Sequence, residues 1–145
     1  MPVSVFDAAL AALSPVTLYR ILALRVEVFV VEQRCAYAEL DGRDLEPSAV
    51  QVWAERDGEV VATLRLLRDP DGSARIGRVA TAAAARGGGL AATLMERALG
   101  LAGSGPVVLE AQSHLAAWYE RLGFTRAGPD YVADGIAHTP MRREV

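Results

Sequence analysis

A chain of 145 residues with 52% hydrophobic and 23% charged side chains is long enough to bury a core and ordinary enough to be globular. Its net charge of −3 argues against a broad nucleic-acid surface, and all 15 basic residues are arginine, so Schiff-base chemistry and a Walker lysine are excluded. One cysteine and two histidines form neither an internal disulfide nor a metal cluster. No apolar run approaches the ~20 residues of a membrane span, and the start MPVSVFDAAL lacks a basic n-region. The expectation is a single cytoplasmic domain over residues 1–145, with no metal, no nucleic acid and no membrane partner.

In chain order, VSVF (3–6) reads as a short strand. Ser14 is a fitting N-cap and Pro15 a fitting first helical residue, and Leu18, Ile21, Leu22 and Arg25 share one face, predicting a helix to about Phe29. Residues 32–49 hold turn formers and four acids, Glu39, Asp41, Asp44 and Glu46, and read as a long loop. VQVWAER and EVVATLRLLR alternate around Asp57-Gly58 and predict a hairpin. A turn at DPDG (69–72) leads into a third strand, ARIGRVAT, and after residues 82–89 a helix runs to about Leu101. GSGP breaks it; VVLEA is a further strand, SHLAAWYERLG a short helix ended by Gly123, and a last strand lies near AHTPMRR.

Gly87, Gly88 and Gly89 therefore lie between a strand and a helix N-terminus, where backbone N–H groups lack partners. Glycines let a ligand approach that main chain closely, and the fitting guest is a phosphate, with Arg86 offering a matching fork. An ordinary strand-to-helix connection is the bland alternative. A dinucleotide fingerprint fits formally as Gly87-x-Gly89-x-x-Ala92, with Glu110 as the ribose acid. Yet AAAAR separates the glycines from the strand, and the preceding strands are hairpin-joined rather than helix-connected.

ARGGGLA resembles R/Q-x-x-G-x-G/A, the acetyl-CoA pyrophosphate signature of the GNAT superfamily of N-acetyltransferases, through Arg86, Gly89 and Ala91. AAWYERLGF resembles the family's later segment, and LRVEVFVVEQRCAYAELDGRDLEP with DGIAHTPMRR is similar to its ElaA-like branch. The resemblance spans nearly the whole chain. It implies an α/β (α+β) fold with a mixed, mostly antiparallel sheet flanked by helices and splayed into a V beside the acetyl-CoA loop. It implies acetyl-CoA (coenzyme A) bound by the main chain of Val79 and Thr81 and by Arg86, Gly87, Gly88, Gly89, Leu90 and Ala91. Gln112 stands where many members carry an asparagine that touches the cofactor arm, and Tyr119 where members keep a tyrosine that protonates the leaving thiolate.

The implied activity is transfer of an acetyl group to a small-molecule amine or a peptide, with room for a homodimer. A non-catalytic acyl-CoA-binding regulatory module is the alternative, since fold alone does not settle turnover. RIGRVAT holds no carboxylate where some members keep the base, which leaves Glu39, Asp41, His138 and Glu110 open for that role or for the acceptor site. Glu32 and Gln33 fall near the expected acceptor cleft. The acids at 39–46 suit a cationic acceptor or, equally, a solvated loop.

Overall fold

The structure, a computed structural model, describes residues 2–144. Strand β1 (Ser4–Ala8) leads to α1 (Pro15–Val26), whose N-cap is Ser14: its hydroxyl accepts the Thr17 amide at 3.1 Å, with Pro15 in the first turn. The helix does not end where its apolar spacing fades. It continues through Glu27–Glu32 as a wider π-helical turn. Such turns are rare and concentrate at functional sites, and this one carries Phe29 and Glu32 into the cleft described below.

The meander β2 (Val50–Arg56), β3 (Glu59–Arg68) and β4 (Ala74–Thr81) follows, with the predicted tight turn at Asp57 and Gly58, both at positive φ. Helix α2 (Leu90–Ala102) crosses back to β5 (Val107–Gln112), α3 (Ala116–Glu120) follows, and β6 (Thr125–Arg126), β7 (Tyr131–Ala133) and β8 (Ile136–Arg143) complete the order. The spatial order is β1-β2-β3-β4-β5-β8-β6, with β7 also on β8. Strand β7 was not foreseen; its turn residues Asp134-Gly135, again both at positive φ, are the hairpin signal that marks it.

Every pairing is antiparallel except β4 with β5, which run parallel and pair only at Ala74–Val107 and Arg75–Val108. Beyond Arg75 the two strands part. A bulge follows on the other side of β4: the β3 register shifts between Thr63 and Arg65, and Arg78 opposite it adopts φ 53°. Helix α2 covers one face through Leu94, Met95 and Ala98, over Val52, Leu64, Leu66 and Ile76. On the other face Leu24 and Val28 pack against Ala80. The bulge switches faces, so Ile76 and Ala80 serve opposite cores. The sheet is thus mixed, mostly antiparallel and splayed, as the sequence led us to expect.

Candidate active site

The parting of β4 from β5 opens a cleft of about 890 Å³. Its walls come from the π turn after α1, from β4, the glycine loop and the start of α2, and from β5, α3 and the β7–β8 hairpin. Val79 and Thr81 lie on its β4 wall, and the strand edge they belong to has no partner strand on the β5 side.

At one end stands the glycine loop. Gly87 and Gly89 have φ of 86° and 79°, a region that side chains with a Cβ rarely adopt, and a Cβ at either would meet nothing within 4 Å. The loop is thus shaped by backbone need and stays open above. The amides from Gly87 to Ala92 donate to no protein acceptor among the described residues. Leu90 is buried and Ala91 lines the cleft, so these two offer backbone while Leu90 anchors the helix. A row of free amides at a helix N-terminus fits a pyrophosphate.

Arg86 is placed differently from expectation. Its Nη1 and Nη2 each bond a Glu32 oxygen at 2.7 Å, and its Nε bonds the Thr81 carbonyl at 3.1 Å. The fork is spent on tying the π turn to the glycine loop rather than left free for phosphate. Those bonds lower the Glu32 pKa and raise that of Arg86.

Tyr119 is 7% exposed, wedged edge-on between Trp118 and Phe124, and its hydroxyl bonds no other described residue. Burial pushes its pKa up to about 12, so it stays a phenol at any physiological pH. Gln112 exchanges amide hydrogen bonds with Gln33 across the cleft, at 3.2 and 3.4 Å.

The opposite half is built from side chains. On the hairpin wall His138 stacks on Tyr131, and its Nδ1 lies 2.8 Å from the Ile136 carbonyl. A carbonyl only accepts, so Nδ1 carries a hydrogen, and in the neutral ring the lone pair is on Nε2. The Tyr131 hydroxyl donates to Glu110 at 2.7 Å, and Arg75 reaches the other Glu110 oxygen at 3.3 Å while bonding Asp69 at 2.8 Å.

Glu39 and Asp41 are not placed to act as base or to greet a cation. Arg25, 0% exposed, bonds Glu39 at 2.6 Å and Asp44 at 2.8 Å. Arg65 clasps Asp41 at 2.7 and 2.8 Å, and Arg78 lies 2.9 Å from Glu39 and 3.3 Å from Asp41. Tyr37 also donates a short bond to Glu39. Neither acid lines the cleft. Arg65 leads the causes that hold Asp41 well below the carboxylate range; burial opposes ionisation of Asp44, but bonds from Arg25 outweigh it. Glu39 and Asp44 are therefore neither a free acidic lure nor solvated, while Asp41 and Glu46 stand at the more exposed rim with arginine partners of their own. The stretch is a folded ion cluster, and Arg65, Arg75, Arg78 and Tyr131 are the cleft residues that sequence reasoning missed.

An acetyltransferase (GNAT) domain model matches residues 16–145. A UPF0039 protein of Mycobacterium tuberculosis is 48% identical over 130 residues, 87% of this chain and 83% of the other. Protein ElaA of Escherichia coli is 39% identical over 139 residues, 92% of this chain and 91% of the other. Among solved structures, an acyl-CoA N-acyltransferase from Pseudomonas aeruginosa superimposes with a TM-score of 0.92 at 46% identity, covering 98% of this chain and 99% of the other.

Proposed function

The chain belongs to the GNAT acetyltransferase family, and from that premise we propose that it moves an acetyl group from acetyl-CoA to a primary amine by direct attack with both substrates bound. The observation that supports this best is the unpaired inner edge of β4, running between the glycine loop and Tyr119. Acetyl-CoA supplies a thioester whose C–S bond breaks as the new C–N bond forms, leaving a thiolate that needs a proton.

The chain's own groups divide the remaining work. The amides of Gly87 to Ala91 hold the pyrophosphate, and the main chain of Val79 and Thr81 aligns the extended arm, with Gln112 beside it. An amine attacks only when neutral, so His138 takes the ammonium proton on Nε2, its ring steadied by Tyr131 and the Ile136 carbonyl. Tyr119 meets the departing sulfur. A phenol at about 12 is a weak acid beside a thiol at ~8.5 in water. The same burial that raises the phenol also raises a thiolate's proton affinity, which narrows that gap inside the cleft.

Thiol release should be followed with acetyl-CoA and a panel of amines, for the wild type and Tyr119→Phe. We expect amine-dependent release, and a ~10²–10⁴-fold lower kcat in the variant with little change in CoA affinity or melting temperature. Binding of CoA without release for any amine would favour the non-catalytic regulatory module instead.

A further inference from the structure

Resting on the acyltransferase reading, we infer that the acceptor is an amine that also carries a carboxylate, which Arg75 and Arg78 hold on the β4 wall of the cleft. The ion cluster is layered. Arg65 and Arg78 line the cleft, whereas Glu39, Asp41 and Asp44, which pair with them, do not; Arg75 also lines it and pairs with Asp69 and Glu110. Of the acids that pair with these three arginines, only Glu110 shares the cleft with them.

The guanidinium edges have more donors than the protein has acceptors. Arginine offers five N–H groups and accepts none. The Nε of Arg65, on a side chain only 6% exposed, is buried without a hydrogen-bond partner. The Nε of Arg78 lies 2.9 Å from a Glu39 oxygen but off the hydrogen-bond direction, so we count the contact as electrostatic and that N–H as unsatisfied. Arg75 Nη2 and Arg78 Nη1 bond no acceptor among the described residues. The two Nε groups are closed to solvent, which leaves the Nη groups of Arg75 and Arg78 as the donors for a planar carboxylate.

The fork of Arg78 is also held in place. Its left-handed backbone sits at the bulge, and its guanidinium lies 5.5 Å from the Tyr37 ring centroid. On the hairpin wall the Nε2 of His138 faces the cleft as the proton acceptor for an ammonium, whereas Glu110 is already bonded by Tyr131 and by Arg75. Donors on the β4 wall and a proton acceptor on the hairpin wall therefore suit a molecule that carries both a carboxylate and an ammonium. A polyamine would bring positive charge to the arginine wall.

The test uses the full chain, saturating acetyl-CoA and matched pairs of acceptors: phenylalanine with phenethylamine, histidine with histamine, ornithine with putrescine. Rates are compared as pH-independent kcat/KM, so that the lower ammonium pKa of the amino acids does not enter. We expect the carboxylate-bearing member of at least one pair to be preferred by about tenfold or more. In Arg78→Lys, which keeps the charge but loses the fork, that preference should collapse. Equal or better use of the decarboxylated amine in every pair overturns the inference while leaving the acyltransferase reading intact. No thiol release with any amine overturns both. The wild-type ratios decide the matter even if the variant folds poorly.

Discussion

The two halves of the cleft recognise by different means. The half proposed for the cofactor is made from backbone: six consecutive residues, Gly87 to Ala92, present amides that no group among the described residues takes. The half proposed for the acceptor is backed by side chains drawn together across long stretches of chain, with Arg25 meeting Glu39 and Asp44, Arg65 meeting Asp41, and Arg78 meeting Glu39. A backbone site tolerates most changes of residue but not of conformation. A side-chain site behaves the other way round.

That contrast can be broken at three points. The largest effect is expected from Arg25→Met. It strands Glu39 and Asp44, 4% and 6% exposed, beside each other with one cation fewer, and losing one member of a buried ion cluster costs about 3–5 kcal/mol. Chemical denaturation should show that loss of stability.

Next comes Gly89→Val. Open space surrounds the position, so the penalty is one of backbone strain at φ 79° rather than collision. A β-branched residue there should twist the loop's amides out of line, weakening CoA about 10–100-fold for each charge-assisted bond lost, as calorimetry would measure. Melting temperature should fall far less than for Arg25→Met, because the loop is outside both cores.

The smallest is Glu32→Gln. It weakens an exposed pair, frees Arg86 and removes a negative charge beside the anion site. CoA affinity should rise within about fivefold, and the gain should shrink in high salt. A fall in affinity would mean that the Glu32 tie matters more for shaping the loop than its charge matters for repelling phosphate.

The same contrast explains what could be read in advance. The glycine loop is local, so Arg86-x-x-Gly89-x-Ala91 announces it, and the hairpin at Asp57-Gly58 is equally local. Ser14 and Pro15 marked the start of α1. Its end was not legible, since a π turn has no residue signature separate from that of an α-helix, and Glu32 thus points to Arg86. The ion cluster of Glu39, Asp41 and Asp44 was not legible because the arginines that pair with these acids lie on α1, β3 and β4, 14 to 39 residues away. The role of Arg78 depends on a bulge that only the register of β3 with β4 reveals.

The two-pair contact between β4 and β5 has a consequence for how this sheet coexists with other chains. An unpaired strand edge is normally an invitation to aggregate, and most proteins guard it with charge, proline or a covering helix. Here the exposed row of main-chain groups lies in the interior of the sheet, with β5 on its far side and the π turn over it. A second polypeptide has no lateral approach, because a strand of ordinary side chains would have to thread between two walls. Only a slender chain entering lengthwise can use the edge. The sheet thereby keeps a vacancy for β-type pairing that is closed to amyloid-like growth.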